Sequence, residues 1–160
     1  MLYDALVKYV SLHGDLPRGK DGKVSIEPLG DPEVQKEVGL DSSTLKCPAD
    51  RNSAKLSHVL NPALSVDDLH RQSATVVACD RAANHFGPHT QNKIRVVLIG
   101  DGSRVVMGLP LKQQEEWLRL FLAGDKLACT VTASGGAAGN WTSSRIMWYV
   151  GHERGYAPNE

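Results

Sequence analysis

One short stretch constrains the fold of this chain more than any other, an Asp-Gly pair between two apolar runs. The runs, 94–99 and 104–109, are rich in β-branched residues, and residues 100–103 (Gly-Asp-Gly-Ser) separate them. A tight type I′ turn needs positive φ at both central residues, which glycine adopts without steric cost and aspartate tolerates. The stretch therefore predicts a β-hairpin, with residues 75–80 as a neighbouring strand.

Helical patterns lie on both sides of this hairpin. Apolar residues recur at helical spacing over residues 2–10 and the pattern ends at Gly14, which predicts a first amphipathic helix. Residues 31–38 begin with Asp-Pro-Glu and precede a glycine, which predicts a short helix, and another is predicted between Pro110 and Gly124. We therefore predict an α+β fold, with the N-terminal helix packed on a small antiparallel β-sheet and a second amphipathic helix after the hairpin. The predicted core residues are Leu6, Tyr9, Val77, Val96, Leu98, Val105, Leu118 and Phe121.

Composition divides the chain into one body and a tail. Residues 1–133 carry the helical and strand patterns and are predicted to form a single globular domain. Residues 134–160 start with a stretch of glycine and other small residues and are interpreted as a hinge and C-terminal tail. The tail contains the apolar group 146–149, so both a docked strand and a loose segment fit the sequence.

Charge and hydropathy exclude several classes of partner. Lys and Arg number 18 and Asp and Glu number 18, so the chain lacks the basic footprint of nucleic-acid binding. No apolar run reaches the length of a membrane span, and the sequence predicts a soluble chain. The three cysteines, Cys47, Cys79 and Cys129, have no zinc-finger spacing. We interpret them as reduced thiols, with a Cys47–Cys79 bridge as the alternative.

Chemistry-bearing residues concentrate around the polar loop that precedes the hairpin. Asp80, His85, His89 and Asp101 lie in this loop or next to it. Two imidazoles and two carboxylates are able to hold a divalent metal such as zinc, with His85, His89 and Asp101 as its ligands, and a bound metal would activate water for hydrolysis. A polar loop whose histidines bond to the backbone is the favoured alternative, because Gly87 and Pro88 disfavour a helical metal motif and no cofactor is then needed.

A nucleophilic site is the other chemical possibility in this region. Cys79 ends the predicted strand, with Asp80 beside it and His85 nearby, so these three are the candidate catalytic residues. A carboxylate neighbour raises the pKa of a thiol, which favours a packing role for Cys79. No complete catalytic signature is present; if the chain is an enzyme, we expect a small hydrolase of ester or phosphoester bonds.

A family resemblance emerges from the order of several short phrases. The first helix closes on Tyr-x-x-x-His-Gly-Asp-x-Pro over residues 9–17, Cys-Pro-Ala-Asp follows at 47–50, and Leu-Asn-Pro-Ala-Leu at 60–64. Asn84-His85 and an apolar strand then lead into the Asp-Gly-Ser of residues 101–103. Over residues 1–108 this order resembles the globular part of bacterial type II secretion pseudopilins, specifically prepilin-like proteins with a C-terminal His, spacer, Asp-Gly signature.

This resemblance implies a structural and assembly role without catalytic residues. It implies a helix packed on a small antiparallel sheet, and a longer apolar stem that would precede the first helix, as though the sequence started partway along it. It places the chain at the periplasmic or extracellular face; without it, a cytoplasmic location is expected. The expected partners are other proteins or a second copy of the chain, as a homodimer through the first helix or the tail, and neither nucleic acid nor membrane.

Overall fold

The computed structural model describes residues 1–48, 50, 56–73, 75–82, 85–86, 93–107, 111–124, 127–132, 145–150 and 154–156. The helices within these ranges are α1 (Leu2–His13), α2 (Pro32–Val38) and α3 (Leu111–Leu122). The strands are β1 (His58–Leu60), β2 (Val76–Asp80), β3 (His85–Phe86), β4 (Lys93–Ile99), β5 (Arg104–Met107), β6 (Leu127–Thr132), β7 (Arg145–Val150) and β8 (Arg154–Tyr156). The α+β class is confirmed, with the N-terminal helix before the sheet and another helix after the hairpin. No helix in the described ranges is long and apolar enough to cross a bilayer.

The sheet is larger than the small sheet that the sequence predicts. Its strands run in the order β1-β2-β4-β5-β7-β6, with β3 paired to β4 and β8 paired to β7. Strands β2, β4 and β5 are antiparallel neighbours, as predicted, and β1 adds a further antiparallel strand beside β2. Strand β7 comes from the tail and pairs in parallel with β5, through Val106 and Arg145. The tail therefore contributes strands, whereas the glycine-rich stretch before it lies outside the described residues.

The two predicted N-terminal helices form through their own local signals. Helix α1 buries Leu2, Ala5 and Leu6, and Gly14 closes it in the left-handed conformation at φ 76°. Helix α2 begins where the Asp31 carboxylate accepts a hydrogen bond of 2.9 Å from the amide of Glu33. Sequence-local caps thus fix both helices in the places where the pattern predicts them.

The hairpin is confirmed, but its turn differs from the predicted two-residue type I′ turn. The Gly102 amide donates to the Ile99 carbonyl at 2.9 Å, and the Ile99 amide donates to the Ser103 carbonyl at 3.0 Å. Gly102 has φ of 89°, and this bonding is the pattern of a three-residue loop with a left-handed glycine after its turn. The prediction of a type I′ turn was therefore wrong. The three-residue loop needs a left-handed glycine at one position only, and Gly102 occupies that position.

The sheet divides the buried core of the described residues into two clusters. Helix α1 and the loops after it pack on one face, against Val77, Ala78 and Leu98. Helix α3 packs on the other face, where Trp117 and Phe121 meet residues of β2 and β4. A register irregularity in β2 between Val76 and Ala78 lets the adjacent Val77 and Ala78 join the same cluster, whereas Val76 belongs to the other.

The predicted core is largely found, with differences in depth. Leu6, Val77, Leu98 and Phe121 are buried. Tyr9 and Leu118 are partly buried and pack against the clusters, and Val96 is also partly buried; the side chain of Val105 lies outside the described part of the chain. Cys47 and Cys79 are both buried and no disulfide joins them, so the alternative of a Cys47–Cys79 bridge is wrong.

One tyrosine joins α1 to the hairpin turn. The Tyr3 hydroxyl donates to the Gly100 carbonyl at 2.8 Å. We expect Tyr3→Phe to lower the free energy of unfolding by about 1 kcal/mol, because it removes this bond and keeps the ring. Urea unfolding measures the loss, and Tyr9→Phe, whose ring stacks on His13, is the control. A loss no greater than that of the control would contradict the role of the hydroxyl.

The same hydroxyl also predicts a pH dependence. Burial raises the pKa of Tyr3 above its usual 10.0, and the nearby Asp101 and Asp4 raise it further. A raised folded-state pKa gives a stabilisation that is present below about pH 10 and lost as the pH rises through the folded-state pKa. The alkaline fall in stability should therefore be steeper in the unmodified chain than in Tyr3→Phe.

Candidate functional site

A histidine and an aspartate face each other across the first two strands. His58 opens β1 and Asp80 ends β2, and the antiparallel register places them directly opposite. Directly opposed residues have side chains on the same face of a sheet and within reach of each other. The His58 Nδ1 atom lies 2.9 Å from the Asp80 Oδ1 atom. The register of two short strands thus creates an imidazole–carboxylate pair.

Hydrogen bonds hold both the side chain and the main chain of Asp80. Its side chain is only 3% exposed, and its Oδ2 atom accepts a hydrogen bond of 3.1 Å from the Val96 amide. The buried Arg95 guanidinium donates to the main-chain carbonyl of Asp80. These contacts fix the carboxylate, and the carboxylate in turn fixes the ring of His58. Because Nδ1 is engaged, Nε2 is the ring nitrogen left for other partners.

This pair lies in the wall of a cavity of ≈ 460 Å³ beside the start of α1. Its volume falls in the range of roughly 300–1,000 Å³ that is usual for small-molecule sites. The first turn of α1, the segment 43–48 and the four strands β1, β2, β4 and β5 line it. The described lining residues are Met1, Leu2, Tyr3, Ser43, Thr44, Lys46, Cys47, Pro48, His58, Ala78, Asp80, Val96, Leu98 and Arg104.

Cys79, a candidate nucleophile in the sequence, lies on the opposite face of the sheet from this cavity. It is 2% exposed and packs in the cluster beneath α3. Burial raises the pKa of its thiol to about 12, although the Arg95 guanidinium lowers it, and Asp80 raises it further. A buried thiol with such a pKa is neutral at physiological pH, so its position fits packing better than catalysis.

The two carboxylates of the predicted site, Asp80 and Asp101, occupy different places. Asp101 is exposed at the hairpin turn, where its carboxylate accepts a bond of 2.7 Å from the Ser103 amide. Strand β4 continues from Val96, whose amide bonds to Asp80, for about 10 Å to Ile99 before the turn that carries Asp101. The structure therefore does not bring Asp101 to Asp80.

The two histidines of the predicted loop are only partly covered by the structure. His85 lies in β3, and its backbone pairs with Ile94 near the start of β4. The side chain of His85 lies outside the described part. His89 lies wholly outside the described residues. Among the residues that the structure does describe, no group of three or more His, Cys, Asp or Glu side chains is placed to hold a metal ion. The zinc set His85, His89 and Asp101 stays a prediction.

His58 was not identified as a site residue from the sequence. Its ring is 20% exposed and bonded to Asp80. Twenty-two positions separate the two residues in the sequence, and only the strand register brings them together. A usable signal was present, since His-Val-Leu precedes an Asn-Pro turn and a strand that ends in aspartate. Antiparallel pairing of these two segments would place the histidine near the aspartate.

Comparison with known proteins does not identify a family, so function is inferred from the fold and from this cavity. No family model matches the chain, and neither the curated proteins nor the solved structures give a significant match.

Proposed function

We propose that this chain is a structural and assembly module of pseudopilin type. The observation that carries the proposal is the docking of the Asp-Gly turn on the first turn of α1. The Tyr3 hydroxyl bonds to Gly100, and a Cβ atom at Gly102 would lie 3.3 Å from the Tyr3 ring. An N-terminal helix locked to an antiparallel sheet through this turn suits a head domain that is carried on a helical stem.

The phrases behind the resemblance also have structural roles in this fold. The Asp15 carboxylate accepts bonds of 2.8 Å from the Leu16 amide and from the Arg18 side chain. The buried Asn61 amide donates to the Val76 carbonyl at 2.8 Å, and its oxygen accepts from the Ala63 amide at 2.9 Å. Caps and turns account for these residues without catalysis, which supports an assembly role.

The surface of α1 suggests how copies would meet. Val7 is 43% exposed and Leu12 is 52% exposed, although both are apolar. In an assembly of helix-led modules, such side chains pack against a neighbouring helix, and a two-fold pair is the commonest closed solution. We therefore propose self-association through α1, with the periplasmic or extracellular face as its place.

Light scattering over a range of concentrations tests this self-association. We expect an average mass that rises above the 17.4 kDa of one chain, and a return towards one chain in Val7→Asp and Leu12→Asp, because a charge in the contact is costly to bury. Gln113→Asp adds the same charge at an exposed position of α3 and should leave the mass unchanged. A constant mass of one chain at every concentration would end the proposal of self-association.

Hydrolysis is a second candidate function, favoured by the cavity wall. Asp80 was a candidate from the sequence, and it orients a histidine in the manner of the carboxylate in catalytic triads. Turnover of p-nitrophenyl acetate and bis(p-nitrophenyl) phosphate, before and after chelation, tests this activity. His58→Gln should abolish a genuine turnover, whereas His70→Gln, at an exposed position, should not. Equal rates in both variants would reject hydrolysis at this site, and elemental analysis would reveal a bound metal.

A further inference from the structure

The cavity beside α1 has an unbalanced set of charges. Lys46 and Arg104 line it. Asp80 is the one acidic side chain among the described lining residues. Its carboxylate is already engaged by His58 and by the Val96 amide. The wall therefore offers positive charge that its own acid does not neutralise, and such a wall attracts an anion.

Apolar side chains line the cavity beside these charges. Leu2, Ala78 and Leu98 belong to the buried cluster beneath α1 and also line the cavity. Leu98 lies directly opposite Arg104 on neighbouring strands, and cationic and aliphatic side chains placed side by side suit a ligand with an anionic head and a hydrocarbon body. A divalent cation fits poorly, because the described lining supplies one carboxylate and two cationic side chains.

His58 gives this wall a directional hydrogen-bonding group. Asp80 holds Nδ1 at 2.9 Å, so Nε2 is left for a ligand. The hydroxyl groups of Ser43 and Thr44, which also line the cavity, add donors that a carboxylate accepts from.

We propose that this cavity is a binding site for a small aliphatic carboxylate. Its head group lies among Lys46, Arg104 and the Nε2 atom of His58, and its hydrocarbon chain lies against Leu2, Ala78 and Leu98. The site needs neither self-association nor hydrolysis, since it rests on the charges and shape of one chain.

Calorimetric titration of the full chain with three ligands of equal length tests the proposal. We expect saturable binding of octanoate, binding of octanol weaker by at least tenfold, and no binding of octylamine, because only octanoate satisfies the cationic wall. The octanoate affinity should fall as salt is added, since exposed charges are screened. Equal affinities for octanoate and octanol, or no saturable binding of octanoate, would overturn the proposal.

Substitutions that spare the core locate the binding. Lys46 and Arg104 are exposed, so Lys46→Met and Arg104→Met should leave the fold intact and weaken octanoate binding about fivefold each. Lys8→Met removes an exposed lysine of α1 that does not line the cavity and should change nothing. Unchanged affinity in both cavity variants would overturn the site.

A spectroscopic readout separates this site from any binding elsewhere. Octanoate should shift the ring signals of His58 and the amide signal of Val96, which is bonded to Asp80. The ring signals of His70, which does not line the cavity, serve as the internal control. Shifts confined to His70, with His58 and Val96 unmoved, would place the ligand elsewhere and overturn the proposal. Light scattering of the same samples shows whether self-association changes, so failure of either proposal is recognised independently of the other.

Discussion

Gly100→Ala should lower the free energy of unfolding by about 3 kcal/mol or more. A Cβ atom at this position would lie 2.1 Å from the Asp68 carbonyl oxygen and 2.4 Å from the Ser73 hydroxyl oxygen. Neither neighbour can withdraw easily, because Ser73 Oγ accepts from the Thr75 amide at 3.2 Å and the Gly100 amide donates to the Thr75 carbonyl at 2.9 Å. The added methyl group must therefore push the hairpin turn away from the loop before β2.

Gly30→Ala is the matched control for this substitution. Nothing lies within 4 Å of a Cβ atom at Gly30, and its φ is not left-handed, so the change should stay within about 0.5 kcal/mol. Urea unfolding of the unmodified chain and the two variants gives the comparison. In thermal unfolding, the melting temperature of Gly100→Ala should be lower by roughly 6–12 °C for a chain of this size. Equal stabilities of the two variants would mean that the turn does not sit against this loop.

The features predicted correctly are those with local causes. Helix α2 needs only the Asp31 carboxylate to cap its first turn and Gly39 to close it at φ 69°. The hairpin needs two apolar runs and a left-handed glycine between them. These signals lie within a few residues of the structure they determine, so the sequence predicts them without knowledge of the rest of the chain.

The features missed depend on contacts between distant segments. Gly100 was interpreted as part of a local turn, yet Asp68 and Ser73, far earlier in the sequence, determine why no side chain fits there. The pairing of His58 with Asp80 requires the register of β1 on β2, and a shift of one residue would place the ring on the other face. No local pattern contains that register, so the candidate site could not be assembled from motifs.

The depth of burial along one helix was equally hidden from the sequence. Phe121 and Leu122 are adjacent apolar residues of α3, and both lie at helical spacing from Leu118, so the sequence does not distinguish their burial. In the structure Phe121 is fully buried, whereas Leu122 is 53% exposed. The difference arises because α3 packs on the second face of the sheet, where the Phe121 ring lies 5.0 Å from the Trp117 ring and contacts the cluster that includes Val97.

The second large effect is expected at this pair of adjacent residues, Phe121 and Leu122. Phe121→Ala should lower the free energy of unfolding by about 3–5 kcal/mol, because it removes a buried ring and leaves a cavity between α3 and the sheet. Leu122→Ala should cost less than about 1 kcal/mol, since a side chain that is half exposed loses little burial. Urea unfolding measures both, and similar losses in the two variants would contradict this packing of α3. A large loss for Phe121→Ala alone would support the packing of α3 on the second face of the sheet. This packing stabilises β2 and β4, the strands that position Asp80 in the cavity wall.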